Sequence, residues 1–304
     1  MKEQVFDLFL KQYPEQINTF PRFFENLYES QIYKNDSIRV VALIDKTVIG
    51  FQSFFKWPYF YKGKEFNSFQ SGNSIVSPDH RGKGIFQKLL SHIYEIASNQ
   101  NVDFLIGFPV SLSLPSFKKN GWTHLFDLQW HMKLIHPLPL LKKQDFRNKN
   151  ISKVIPHGIE NNLSPESFSL SNRIDWLSWK ASLSPSTKFY YEAPNGTLFQ
   201  LKINRRLYYF NEVIIGDIRL KDLSKINEDM KSLVNIVRKE MNCNFLSFAH
   251  NERSSLNNNL DLKSMGFKKI NKQIHFIVKP ISNSIDEIMD AGNWQIFRGD
   301  LDTW

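Results

Sequence analysis

The stretch Ser74–Leu90, SIVSPDHRGKGIFQKLL, places a short apolar strand, a proline and two glycines around a lysine ahead of an apolar run with helical spacing. Pro78 cannot donate to a strand ladder, so the strand is predicted to end there. Gly82 and Gly84 permit unusual backbone angles and leave their amides uncovered. The helix that begins at about Gly84 presents free N–H groups and the positive end of its dipole. Such a loop is typical of phosphate or pyrophosphate binding, with a mobile basic surface loop as the alternative.

The same residues exclude two common phosphate-binding loops. The dinucleotide pattern G-x-G-x-x-G requires a third glycine where Gln87 stands. The nucleotide-triphosphate pattern G-x-x-x-x-G-K-[ST] is not matched. Neither NAD nor ATP is therefore indicated.

Composition limits the class of protein. The chain has 304 residues, of which 41% are hydrophobic, enough for one large domain or two ordinary ones. No apolar run reaches the roughly 18–20 residues of a membrane helix, and the N-terminus MKEQVFDLFLKQYPEQ does not read as a signal peptide. The single cysteine, Cys243 in MNCNFLSFA, is interpreted as a small core residue in a reducing compartment. A cytoplasmic protein is expected.

The formal net charge of +9 favours an acidic partner. Because the lysines and arginines are scattered, apart from pairs such as Lys118-Lys119 and Lys142-Lys143, a phosphorylated small molecule is favoured over nucleic acid. There is no H-E-x-x-H motif and no cysteine pair, so no metal is indicated.

The periodicity predicts two halves with the same order of elements. The first half begins with a predicted hairpin, whose strands Arg39–Ile44 and Val48–Phe55 flank a turn at Asp45-Lys46. A helix from Gly84 to Ser98, a strand Phe104–Phe108, and a short helix capped by Ser113 and stopped at Asn120-Gly121 are predicted after it. The second half repeats a helix (Ser224–Glu240), a strand (Asn244–Ala249), a glycine at Gly266 and a strand in QIHFIVKP. The segment Ile135–Glu166 is predicted to connect the halves. The loop before the second helix, GDIRLKDLSKIN, has no paired glycines, which predicts one ligand loop in the chain.

The order of strand, VSPDHRGKGI, amphipathic helix, buried strand and short helix ending in FKKNGW resembles the GNAT superfamily of N-acetyltransferases. The family consensus R/Q-x-x-G-x-G/A is matched at Arg81 and Gly84, while Phe86 replaces the final small residue. The two motifs cover residues 74–122, and the repeated order is similar to tandem members of the superfamily. The resemblance implies an α/β (α+β) fold of two tandem domains, each a mixed central sheet flanked by helices. Residues 1–140 would bind the acyl donor, and residues 141–304, without a glycine loop, would bind the acceptor.

The resemblance also implies roles for particular residues. The amides from Gly82 to Phe86 would bind the pyrophosphate of coenzyme A, and adjacent strands would splay near Val76 and Phe108 to hold the thioester. The implied donor-binding set is Ile75, Val76, Arg81, Gly82, Lys83, Gly84, Ile85, Phe86 and Phe117. Phe117 stands where many members have a tyrosine that protonates the leaving thiolate, and phenylalanine cannot donate a proton.

Two further candidates lie outside the motifs. His131, on a predicted strand, is a candidate general base because its ordinary pKa range suits proton transfer, with a structural role as the alternative. The C-terminal segment NWQIFRGDLDTW reads as a strand Trp294–Phe297, a turn at Arg298-Gly299-Asp300, and then Asp302 and Trp304. One interpretation is a substrate-binding wall in which Trp294, Asp300 and Asp302 contact the acceptor. The other is a loose, solvated chain end.

By the same resemblance, the protein would be an acyl-coenzyme A-dependent N-acyltransferase. Its acceptor would be the amine of a nucleotide-linked (dTDP or UDP) amino sugar, for a bacterial surface polysaccharide such as lipopolysaccharide. Two alternatives remain open. An aminoacyl transferase resembling the FemAB group would use charged tRNA, against which the Arg81–Gly84 loop argues. A non-catalytic regulatory module that binds acyl-coenzyme A is kept open by Phe117 and the lack of an obvious base.

Overall fold

The computed structural model describes residues 1–30, 36–137, 151–156, 166–184, 186–206, 210–282 and 286–304. Most of the predicted connection from Ile135 to Glu166, with the pair Lys142-Lys143, lies outside these residues. Up to residue 134 the elements are α1 (Lys2–Gln12), α2 (Phe20–Tyr28), β1 (Ser37–Ile44), β2 (Thr47–Lys56), β3 (Tyr59–Tyr61), β4 (Lys64–Phe66), β5 (Ser68–Val76), α3 (Ile85–Asn99), β6 (Phe104–Gly107), α4 (Leu114–Lys119) and β7 (Thr123–Leu134).

The later elements are β8 (Ile151–Ser152), β9 (Ser169–Leu170), α5 (Ile174–Ser182), β10 (Lys188–Glu192), β11 (Leu198–Arg206), β12 (Phe210–Arg219), α6 (Ile226–Glu240), β13 (Phe245–Asn251), α7 (Ser255–Asn259) and β14 (Lys268–Pro280). Short 3₁₀ helices occupy Pro14–Gln16, Pro78–His80, Leu223–Lys225, Asp286–Met289, Ala291–Asn293 and Arg298–Asp300. Among the described helices, none has the length and apolar character needed to cross a bilayer.

The described chain forms two compact units. The first comprises Met1–Tyr59, Glu65–Leu125 and His275–Met289, and the second comprises Phe60–Lys64, Phe126–Ile274 and Asp290–Trp304. The strand order in the first unit is β1-β2-β5-β6-β14, and in the second it is β7-β13-β12-β11-β10-β8. Each unit has one parallel pair with a helix between its strands: β5 and β6 around α3, and β12 and β13 around α6. Mixed sheets flanked by helices, as predicted, are confirmed.

The units divide the chain differently from the predicted boundary between residues 140 and 141, because the two halves exchange their last strands. From Phe126 onward β7 belongs to the second unit, where it pairs with β13 in antiparallel register. From His275 onward β14 belongs to the first unit, where it pairs with β6. A single boundary in sequence therefore does not separate the two units.

Helices cover both faces of the sheet in the first unit. On one face, the ring of Phe51 in β2 packs against Phe9 of α1 and Phe24 of α2, with centroid distances of 6.2 and 6.1 Å. On the other face, Phe54 shares a buried apolar cluster with Leu89 and Leu90 of α3. This face of α3 is the one that the helical spacing predicts.

The second unit is built around α6. Its predicted apolar face, Ile226, Met230, Leu233 and Val237, is fully buried. The same cluster contains Cys243, which confirms that the cysteine is a core residue. Burial raises the pKa of the Cys243 thiol to about 12, which keeps it protonated and unreactive.

Candidate functional site

The loop between β5 and α3 has the backbone geometry that its glycines predict. The chain leaves β5 through Ser77, whose N–H donates to the carbonyl of Ile49 at 2.8 Å. Gly82 and Gly84 then adopt φ of +75° and +74°, values that disfavour any residue with a side chain. Gly84 is the N-cap of α3. The predicted unusual backbone angles at both glycines are confirmed.

The two glycines leave an open cradle at the start of the helix. A Cβ atom built on either Gly82 or Gly84 would meet nothing within 4 Å. The N–H of Lys88 donates to the carbonyl of Gly84 at 3.1 Å, so the amides of Ile85, Phe86 and Gln87 precede the first intrahelical bond. Free amides, the positive end of the dipole and an open approach together fit a phosphate group.

The charged side chains of the loop brace it instead of pointing into the cradle. Arg81 donates from Nη2 to Oε1 of Gln12 in α1 at 2.6 Å and from Nε to the carbonyl of Val76 at 3.2 Å. Lys83 donates to the carbonyl of Asp79 at 3.0 Å. Arg81 therefore ties the loop to α1 and to the end of β5.

Beside the loop, β5 and β6 separate. Their parallel ladder runs from Ser68 opposite Phe104 to Gln70 opposite Ile106, and β6 ends at Gly107. Strand β5 continues to Val76 and stays paired with β2 as far as Gly50. The ladder between the two strands therefore ends at Gln70 and Ile106, ahead of the expected splay near Val76 and Phe108. Ile75 and Val76 lie on the part of β5 that extends past β6.

Phe117 lies in the apolar core between α3 and α4. It is 4% exposed, and its ring centroid is 5.2 Å from those of Phe86 and Trp122. The nearby hydroxyl comes from Tyr94 of α3, which accepts a hydrogen bond from Nε1 of Trp122 at 2.7 Å. Burial raises the pKa of Tyr94 to about 12, so this hydroxyl is a weak acid. No local pattern indicates this pairing, because Tyr94 and Trp122 are 28 residues apart.

Polar groups that the motif analysis missed flank the part of β5 beyond the splay. The hydroxyl of Tyr28 lies 2.6 Å from Oγ of Ser53 and donates to Oδ1 of Asn73 at 3.0 Å. A Cβ on Gly72 would come within 2.9 Å of that hydroxyl, so the close approach of Tyr28 needs glycine there. The polar run QSGNS inside the strand SFQSGNSIV was the signal that could have indicated them.

A second polar pair lies on the opposite side of the splay. Oγ of Ser111, in the loop after β6, is 3.0 Å from Nε2 of His275 in β14. His275 is 7% exposed, and it stands two residues from Ile277, the partner of Gly107 at the end of β6. A histidine inside the otherwise apolar strand QIHFIVKP was the available signal for it.

His131 belongs to the second unit and is held by charged neighbours. Its Nε2 is 3.0 Å from Oε1 of Glu252, whose other oxygen accepts from Lys269 at 2.7 Å. The ring of His250 is 5.4 Å away. Burial lowers the pKa of His131, opposed in part by the carboxylate of Glu252. His131 is thus a partly buried histidine, hydrogen-bonded to Glu252, that stays mostly neutral near pH 7.

The C-terminal segment is packed into the second unit, so the interpretation as a loose, solvated end is wrong. Trp294 is fully buried and stacks on Phe168 with centroids 4.4 Å apart. The predicted strand Trp294–Phe297 is also wrong, because only its ends make isolated bridges, to Phe168 and to His250. The side chain of Asn251 donates to the carbonyls of Ala291 and Trp294, and its backbone N–H donates to the carbonyl of Ile296 at 3.3 Å, so the segment is held without a continuous ladder.

Asp300 and Trp304 are buried against the sheet of the second unit. Asp300 is 2% exposed and accepts from the N–H of Phe297 at 2.8 Å. Burial and the nearby carboxylate of Asp217 raise its pKa, while the ammonium of Lys180 opposes this. The ring of Trp304 covers Gly216, where a Cβ would overlap it. Asp302 is the partly exposed member of the predicted acceptor-binding set.

Comparisons with known proteins agree with this geometry. Residues 3–125 match the family model described as acetyltransferase (GNAT) domain. A GCN5-related N-acetyltransferase from Anabaena variabilis superposes with a TM-score of 0.65 at 12% identity, covering 93% of this chain and 71% of that one. A probable N-acyltransferase from Enterococcus faecalis superposes with a TM-score of 0.66 at 13% identity, covering 92% and 70%.

A more distant likeness is to the N-myristoyltransferase of Saccharomyces cerevisiae with bound myristoyl-CoA. Its TM-score is 0.53 at 11% identity, with 86% of this chain and 70% of that chain covered. No curated protein matched the sequence. At these identities the solved structures show a shared fold.

Proposed function

We propose that this chain, whose residues 3–125 match the acetyltransferase (GNAT) domain model, is an N-acyltransferase that takes its acyl group from acyl-coenzyme A bound at the loop before α3. The observation that carries the proposal is the open cradle at Gly82 and Gly84, at the N-terminus of a helix and directly after a strand that splays from its neighbour. The amides from Gly82 to Phe86 would receive the pyrophosphate. Ile75 and Val76 would lie along the pantetheine, and the side chains of Arg81 and Lys83 would hold the loop in shape.

The splay between β5 and β6 supplies a place for the thioester. There a neutral amine would attack the thioester carbonyl, the C–S bond would break, and coenzyme A would leave as its thiolate. A backbone N–H freed from the ladder beyond Gln70 could stabilise the oxyanion, and positioning of the amine would carry much of the rate. Because Phe117 is buried in the core and cannot donate a proton, the thiolate would leave unprotonated or take its proton from water.

The proton lost by the amine needs an acceptor. We retain His131 as a candidate base, since its lowered pKa keeps the imidazole neutral and able to accept a proton. His275 is a second candidate, because it lies in the same unit as the donor loop and already pairs with Ser111. The variants His131→Gln and His275→Gln separate the two candidates. The variant that lacks the base should have a lower kcat, and its pH–rate profile should lose the acid limb.

For the acceptor we propose the amine of a nucleotide-linked amino sugar, of the kind used for bacterial surface polysaccharides. The net charge of +9 supports a phosphorylated acceptor. The second unit would bind it, with Asp302 as the partly exposed residue of the tail, while Trp294 and Asp300 would support that surface from within.

The test is an acyl-transfer assay with acetyl-coenzyme A and longer acyl donors against nucleotide-linked amino sugars, free amino sugars, peptides and polyamines. We expect the nucleotide-linked amine to be acylated with the highest kcat/KM. Equal acylation of the free sugar would refute recognition of the diphosphate carrier. Acylation of peptides or polyamines alone would replace the substrate class, and coenzyme A binding with no acylated amine would favour a non-catalytic module.

A variant of Asp300 checks the role of the tail. We expect Asp300→Asn to lower turnover more than it weakens coenzyme A binding, because the side chain lies in the second unit and outside the donor loop. Lys11→Met, in α1 of the first unit, is an exposed control. Unchanged turnover in a folded Asp300→Asn protein would remove the tail from the acceptor site.

A further inference from the structure

Three cationic side chains surround the ring of Trp304 in the second unit. Nζ of Lys188 and Nζ of Lys202 each lie 5.3 Å from the ring centroid, and the guanidinium of Arg298 lies 5.9 Å from it. Lys188 and Lys202 are direct cross-strand partners in β10 and β11. Like charges directly opposite each other destabilise a sheet, so this arrangement has a cost that the fold must offset.

Several hydrogen-bond donors in this cluster have no acceptor among the described residues. They are Nζ of Lys188, Nη1 of Arg298 and Nε1 of Trp304, all buried. Lys188 is only 5% exposed. A buried ammonium without a hydrogen bond costs several kcal/mol, and native proteins seldom keep one without a reason.

Two carboxylates of this region, those of Asp217 and Asp300, interact with groups outside the cluster. Asp217 pairs with Arg219 at 2.6 Å, and Asp300 faces Lys180 and the N–H of Phe297. Asp302 acts on Arg298. The charged groups that act on Lys188 are all cations, Lys202, Lys180 and Arg298, and together with burial they lower its pKa to about 7. Arg298 is likewise the charged group that acts on Lys202.

Lys202 and Arg298 are partly exposed and give access to the cluster from solvent, whereas Lys188 is buried. The structure therefore combines buried donors without acceptors with two partly exposed cationic side chains. What this arrangement lacks is an acceptor-rich anion, and a phosphate group has several strongly accepting oxygens.

We infer that Lys188, Lys202, Arg298 and Nε1 of Trp304 form a binding site for a phosphate or diphosphate group of a small molecule. The anion supplies the acceptors that Nζ of Lys188, Nη1 of Arg298 and Nε1 of Trp304 lack, and it neutralises the paired lysines. If the proposed function holds, this site receives the diphosphate of the acceptor, and that identification rests on the proposed function. Binding of the anion itself does not depend on acyl transfer.

The experiment titrates inorganic pyrophosphate into the full chain by calorimetry at pH 7. The chain carries Gly84→Asp, so that the glycine loop does not contribute to binding. We expect Lys188→Met and Lys202→Met to weaken pyrophosphate binding at least tenfold, and Lys202→Arg to retain it within about threefold, since arginine keeps charge and donors. Lys231→Met, an exposed lysine of α6 in the same unit, is the matched control and should leave binding unchanged.

A second measurement separates a binding role from a structural one. Without pyrophosphate, Lys188→Met should unfold at an equal or higher temperature than the parent, because it removes an uncompensated buried charge. If Lys188 only stabilised the fold, Lys188→Met would unfold at a lower temperature than the parent. The inference is overturned if pyrophosphate does not bind the parent, or if both methionine variants bind it as tightly. If Lys188→Met does not fold, pyrophosphate binding by Lys202→Met and Lys202→Arg tests the inference.

Discussion

At the scale of single residues, Gly84 combines a positive φ with an open approach to the N-terminus of α3. Gly84→Asp places a side chain and a negative charge where the pyrophosphate of coenzyme A would sit. We expect it to weaken coenzyme A binding more than tenfold, or about 1.4 kcal/mol. Calorimetry on the folded variant measures the effect.

The matched control for this change is Gly63→Asp, in the turn between β3 and β4. Gly63 has a φ of +77°, and a Cβ there would also meet nothing within 4 Å, so both variants carry the same backbone strain. Gly63→Asp should leave coenzyme A affinity unchanged. Equal affinities in both aspartate variants and the parent would show that the loop does not bind the donor.

The thiol of Cys243 provides a second residue-scale prediction. It is fully buried in the core of the second unit, with its pKa raised to about 12 by burial. A thiol reagent such as 5,5′-dithiobis(2-nitrobenzoate) should not react with the native protein at pH 8 and should react once the protein is unfolded in urea. Rapid reaction of the native chain would contradict the packing of α6 over this residue.

At the scale of elements, β13 carries a histidine that makes the second unit sensitive to acid. His250 is fully buried, with Nε2 3.1 Å from Oδ1 of Asn257 in α7. Burial lowers its pKa from 6.5 to about 4. Between these values the unfolded chain binds a proton that the folded chain does not, so stability falls as pH drops from 6.5 toward 4. This histidine should contribute a loss of roughly 2 kcal/mol between pH 7 and pH 5.

Urea unfolding of the parent and of His250→Gln at the two pH values measures this contribution. The variant should lose about 2 kcal/mol less than the parent between pH 7 and pH 5, because glutamine does not titrate. His92→Gln, at an exposed position of α3, is the control and should follow the parent. Parallel losses in all three proteins would mean that His250 binds its proton in the folded state.

At the scale of the whole molecule, the repeated order of strand, helix and strand raises the question of how many donors the chain binds. In the second unit, the segment before α6 has no glycine loop, and the carboxylate of Asp222 accepts from the N–H of Ser224 at 2.9 Å. A phosphate would meet this negative charge. We therefore expect one coenzyme A per chain. Saturation at two equivalent donors in a calorimetric titration would show that the second unit also binds the donor.

Local patterns in the sequence were sufficient for most of the fold. The turn at Asp45-Lys46 has positive φ at both residues, as its place between two strands requires. The faces of α3 and α6, the glycine at the end of α4 and the glycine loop follow from spacing and from residues that tolerate few conformations. The continuous strand expected at Trp294–Phe297 does not form, because its backbone pairs with Phe168 at one end and with His250 and Asn251 at the other, all distant in sequence.

What the sequence by itself determined is therefore the hairpin of β1 and β2, the helices α3, α4 and α6, and the cradle at Gly82 and Gly84, since these depend on interactions within a few residues. The tertiary structure decided which half each last strand completes, because the pairing of β7 with β13 and of β14 with β6 joins residues more than a hundred positions apart. It also decided that Phe117 lies in the core, and that Lys188 and Lys202 lie opposite each other, each 5.3 Å from the ring centroid of Trp304. Burial and opposing charges are set by neighbours from several elements, and no local pattern encodes them.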